Sequence, residues 1–68
     1  MSFAVARTLG GVTRYAILHA DGEIAWTKHQ PDAMPFSAEV EAKEFMLAKE
    51  GVDISDPAYR GMLEIITL

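Results

Sequence analysis

Apolar and β-branched residues fill three short runs at the start of the chain, Phe3–Leu9, Val12–Ala20 and Glu23–His29. Gly10-Gly11 and Asp21-Gly22 separate them, and dipeptides of this kind accept the positive φ angles of a two-residue hairpin turn. A two-residue turn also fixes register, so facing side chains can be written down. Around Gly10-Gly11, Leu9 faces Val12, Arg7 faces Arg14, Val5 faces Ala16 and Phe3 faces Leu18. Around Asp21-Gly22, Ala20 faces Glu23, Leu18 faces Ala25, Ala16 faces Thr27 and Arg14 faces His29. One face then collects Phe3, Val5, Leu9, Val12, Ala16, Leu18 and Ala25. The other collects Ala4, Ala6, Tyr15, Ile17, Ile24 and Trp26.

Residues 30–36 hold Pro31 and Pro35 and read as a connector, since proline resists both helix and strand interior. A helix is expected from about Ala38 to Glu50. Ser37 is its expected N-cap, Glu39 and Glu41 sit where the helix dipole favours acids, and Gly51 is the stop. Ala38, Ala42, Phe45 and Met46 form its core stripe. Val40 and Leu47 lie on nearly the opposite side, where an amphipathic helix is polar. They read as scattered surface, as residues covered by the C-terminal connector, or as a contact for another chain. The helix is expected on the Tyr15/Ile17/Trp26 face, where large and small side chains adjoin.

Ser55–Gly61 reads as one capped helical turn, with Asp56 or Ser55 as cap and Pro57 at the first position. Met62–Leu68 is apolar and β-branched with Glu64 its only charge, so it reads as a strand bonded on both edges or buried on both faces. The expected fold is a single α+β domain over residues 1–68, in the order βββαβ. Its sheet is four-stranded and mostly antiparallel, with the helix on one face.

Composition changes this picture in two ways. With 68 residues the chain buries only about 60% of the surface its unfolded form exposes, so extra stabilisation is expected. The absence of cysteine removes disulfides, which leaves self-association as the expected source. The net charge of −4 is also uneven, +1 over residues 1–29 and −5 over residues 30–68. Such an acidic half disfavours non-specific nucleic-acid binding, and it reads either as Glu and Lys keeping the helix soluble or as a surface that docks on a basic one. Met1–Arg7 lacks the pattern of a secretory signal, and no apolar run approaches the ~18 residues of a membrane span. A cytoplasmic location without membrane association is expected.

Chemistry-bearing constellations are few. Arg7, Arg14 and His29 fall in one row, and like charges opposed in a sheet repel by a few tenths to about one kcal/mol. Splaying into solvent, a carboxylate from elsewhere or a bound anion could offset that repulsion, and a shifted register would break up the row. His19 and His29 fall on opposite faces, so no metal site is expected. Ser37 has no His–Asp pair around it, and Gly10-Gly11 lacks the lysine and helix start of a phosphate loop. Tyr15 and Trp26 are expected to pack under the helix. No enzyme activity and no cofactor are expected.

The leading expectation is a small non-catalytic protein-interaction module, because one helix covers one of two apolar sheet faces. The Phe3/Val5/Leu18 face, with Arg7, Arg14 and His29 at its edge, is expected to meet a second copy or a different protein. Glu39, Glu41 and Glu44, with Glu50, form the candidate acidic face. In size, charge and element order the chain is similar to the small inhibitor proteins of phages and mobile elements, such as the anti-CRISPR proteins. That class shares no sequence motif. The resemblance implies only a mode, an inhibitor or adaptor that occludes a basic site on its target. The alternative is a small anion- or nucleic-acid-binding module built on Arg7, Arg14 and His29.

Overall fold

A computed structural model covers residues 1–68. It contains β1 (Phe3–Leu9), β2 (Val12–Leu18), β3 (Ile24–Thr27), α1 (Glu39–Glu50) and β4 (Leu63–Thr67), with single 3₁₀ turns at Gln30–Asp32 and Pro57–Tyr59. The four strands form one antiparallel sheet in the order β3-β2-β1-β4. The βββαβ architecture expected from the sequence is the one observed.

The first hairpin follows the sequence reading. Gly10 and Gly11 have φ of 56° and 78°, the two positive angles of a type I′ turn. Leu9 faces Val12 and Arg7 faces Arg14. Between them the Thr8 and Thr13 hydroxyls share a 2.9 Å hydrogen bond.

The second hairpin does not. Its loop has three residues, Ala20-Asp21-Gly22, closed by His19 N–H donating to the Glu23 carbonyl and Gly22 N–H donating to the His19 carbonyl, each at 2.9 Å. Gly22 takes φ 85°, the left-handed third position of such a loop. Asp21 Oδ1 adds a 2.9 Å bond from Glu23 N–H. The extra loop residue moves β3 by one, so Ala16 faces Trp26 and Leu18 faces Ile24. A one-residue slip turns every side chain to the opposite face. Trp26 and Ile24 therefore leave the Tyr15/Ile17 side and join Val5, Ala16 and Leu63.

That exchange decides where the helix packs. The core consists of Val5, Ala16, Phe36, Ala42, Met46 and Leu63, with Ile24, Trp26, Phe45 and Ile65 against it. The helix thus lies on the Val5/Ala16/Trp26 face and not on the Tyr15/Ile17 face. Ala42 and Met46 are buried and Phe45 is half-buried, as the helical stripe requires. The core is small. Only Met46 and Val5 are sizeable side chains with almost no exposure, so each core atom carries an unusual share of stability.

The connector is part of the sheet and not a loop over it. The paired residues of β1 and β2 run only from Leu9–Val12 to Ala6–Tyr15. Beyond that point Met34 N–H donates to the Ala16 carbonyl (3.0 Å), and Phe3 and Phe36 exchange both backbone bonds at 2.8 Å. Residues 34–36 take the partner positions on β1 and β2 where the two strands diverge. Phe3 therefore faces Phe36 and not Leu18. The Phe36 ring enters the core and meets Phe45 at 5.3 Å between centroids, tilted by 56°.

The helix starts one residue later than expected. Ala38 occupies the cap position, and Ser37 stands just outside it. The Ser37 hydroxyl donates to Glu41 Oε1 at 2.8 Å and its N–H donates to Glu41 Oε2 at 3.3 Å. The glutamate of the first turn thus reaches back to hold the serine, a variant of the capping box. At the other end Gly51 N–H donates to the Leu47 carbonyl at 3.0 Å. Asp56 caps the second 3₁₀ turn, its carboxylate accepting from Ala58 N–H at 3.0 Å. β4 pairs with β1 alone and forms an edge of the sheet, which excludes the first of its two sequence readings, bonding on both edges.

Candidate interaction surfaces

Ala16 is the smallest side chain in the middle of the helix-side sheet face, and it has no exposed surface. Trp26 on β3 stands opposite it, so the indole can lie over β2 toward β1. There the Arg7 guanidinium carbon sits 4.1 Å from the indole centroid. A cation over an aromatic face gains about 0.5–1 kcal/mol where exposed and about 2 where desolvated. This contact offsets the Arg7–Arg14 opposition, a solution not among the three that the sequence suggested. Met46, Glu50, Val52, Tyr59, Met62 and Leu63 join Arg7 and Trp26 around a shallow cleft of about 220 Å³.

The residues singled out from the sequence scatter. Val5 has no exposed surface and lies beneath the helix, so it offers nothing to a partner. Phe3 is half-buried and bonded to Phe36, while Leu18 is exposed at the end of β2. Arg7 is committed to Trp26. The one-residue shift of β3 removes His29 from the Arg7–Arg14 row, and His29 lies beyond the end of β3 with its N–H on Thr27 Oγ1 at 3.1 Å. The arginine row and the uncovered Phe3/Val5/Leu18 face therefore do not exist as a single surface. The face without the helix carries Tyr15, Ile17, Ala25 and Ile66, all half-buried around the buried Ala4 and Ala6. Tyr15 is thus not under the helix, and Trp26 is.

The acidic candidates stay together. Glu39, Glu41 and Glu44 are exposed on α1, although Glu41 is engaged with Ser37. Among them Val40 and Leu47 are 57% and 56% exposed, so the C-terminal connector does not cover them. They are seven residues apart, two helical turns, and share one side of the helix with Glu44. The helical spacing was legible in the sequence, but the uncovered state was not.

No three His, Cys, Asp or Glu side chains converge as metal ligands would. No helix is long and apolar enough to cross a membrane. No protein-family model, no curated protein and no solved structure matches the chain.

Proposed function

We propose that the chain is a small non-catalytic protein-interaction module, an inhibitor or adaptor that docks the outward side of α1 on another protein. The observation that carries this reading is the pair Val40 and Leu47, each more than half exposed on the chain's one long helix. Leucine and valine at the centre of a charged rim are the composition of a helix-in-groove contact. Glu39 and Glu44 beside them suit a target with a basic rim. The finer version is an inhibitor that occludes a basic, nucleic-acid-binding surface of its target in the cytoplasm. Lys43 and Lys49 interrupt the acids, so the apolar pair and not a row of negative charge supplies the affinity.

The test is affinity capture from a lysate with three baits: wild type, Val40→Asp/Leu47→Asp, and Arg14→Gln. Proteins retained by wild type and Arg14→Gln but lost by the helix variant support the reading. A captured set indifferent to the helix variant overturns it. Glu41→Lys is a poor probe, because it also breaks the contact with Ser37.

A further inference from the structure

The β1–β4 hydrogen bonds show which groups of β4 are in use. Thr8 N–H donates to the Met62 carbonyl and Leu68 N–H donates to the Ser2 carbonyl, both at 2.8 Å. In an antiparallel ladder the bonded residues alternate. Residues 62, 64, 66 and 68 therefore turn their backbone groups toward β1. Leu63, Ile65 and Thr67 turn theirs outward, and no backbone bond outside the ladder and no side-chain bond reaches them.

Sheet edges of this kind are normally blunted by proline, lysine, a bulge or brevity. β3, at the opposite edge, has only four residues and is followed by Lys28 and Pro31. β4 is only one residue longer, but it has no proline, lysine or bulge. It reads Leu-Glu-Ile-Ile-Thr, and its one charge is on a residue whose backbone is bonded inward. Its composition is that of a strand paired on both sides, yet one side is open.

We propose that the free edge of β4 is the interface between two copies of this chain, paired antiparallel about a two-fold axis at Ile65. This register is selected by the outward groups and by Glu64. Centred on Ile65, Ile65 meets Ile65 of the second copy and Leu63 meets Thr67 of the second copy, so every outward donor finds an acceptor. Glu64 then lies opposite Ile66. Centred on Glu64, the two carboxylates would be directly opposed in a close pair, which destabilises a sheet. The axis is perpendicular to the sheet, so both α1 helices lie on the same face of one eight-stranded sheet. The two Ile65 side chains, half-buried in the single chain, extend its small core across the seam. A symmetric contact of one patch with itself is the commonest closure for small proteins.

A five-residue seam is short against the roughly 20–30 residues a side of a standard interface, so association is reversible. Light scattering should give a mass rising with concentration from 7.5 kDa toward twice that value. Amide exchange should show Leu63, Ile65 and Thr67 gaining protection at high concentration, while Glu64 and Ile66 are protected throughout. The chain has no cysteine, so single introduced thiols report distance directly. Facing α-carbons about 5.5 Å apart in a bonded pair lie within disulfide range. Ile65→Cys should oxidise to a covalent dimer. Thr67→Cys should not, since the two copies of that position are more than about 10 Å apart.

A mass fixed at 7.5 kDa into the millimolar range overturns the proposal. So does a dimer without the alternating protection, or one in which Thr67→Cys cross-links as readily as Ile65→Cys. The exchange pattern is read on wild type and stands even where a variant fails to fold. None of these measurements uses a partner protein, so they succeed or fail independently of the proposed role of α1.

Discussion

Arg7 and Trp26 are nineteen positions apart in sequence and on strands that are not neighbours, yet the guanidinium lies 4.1 Å from the indole centroid. The strand between them, β2, contributes Ala16 at the crossing point, and a larger residue there would separate the pair. The contact thus joins three strands through two side chains and one gap. Arg7→Gln should destabilise the fold by about 1 kcal/mol. A double-mutant cycle with Trp26→Leu, followed by urea denaturation, should return a coupling of about 0.5–1 kcal/mol. A coupling near zero would mean that Arg7 merely rests against the ring.

The second hairpin offers a test of what sets its register. Gly22→Ala meets no atom within 4 Å of the added carbon, so its cost is that of the left-handed backbone alone, about 1–2 kcal/mol. Deletion of Ala20 behaves differently. It leaves Asp21-Gly22 as a two-residue turn still flanked by His19 and Glu23, so β3 keeps its register. Trp26 should remain beside Arg7, with tryptophan emission unchanged. A red-shifted emission on deleting Ala20 would show that the loop, and not the burial of Trp26 and Ile24, holds β3 in place.

Phe36 links the connector, β1 and α1 in one residue. Phe36→Ala removes the ring from the core and its contact with Phe45, a loss of about 3–5 kcal/mol. That is a large part of the stability of a domain this small, so the variant should be mostly unfolded at room temperature by circular dichroism. Phe36→Leu retains most of the burial and gives up the aromatic pair, and should lose about 1–2 kcal/mol. If Phe36→Ala folds normally, the connector is not part of the core.

On the outward side of α1 the expectation is reversed. Val40→Asp and Leu47→Asp touch exposed positions and should each change stability by less than about 0.5 kcal/mol in urea denaturation. Loss of a captured partner in that double variant is then loss of a surface and not of the fold. A destabilisation of several kcal/mol would assign these residues to packing.

The sequence alone determined the elements, because each is punctuated by residues with a local conformational reason. Gly10-Gly11 admits the positive φ angles of the first turn, Pro31 and Pro35 mark the connector after β3, and Gly51 ends α1. The order βββαβ, the first register and the Ala42/Met46 stripe follow from those local signals. Tertiary structure decided the rest. Whether Asp21-Gly22 is a two- or three-residue loop depends on which face of β3 is buried, and that is settled by Trp26 and Ile24 packing against Val5, Met46 and Phe36 from distant parts of the chain. From that one residue of shift follow the face that α1 covers, the pairing of Arg7 with Trp26 and the departure of His29 from the arginine row. The position of β4 is equally non-local. Its β-branched sequence states that it is a strand, but only the hydrogen bonds to β1 reveal that its other edge is open.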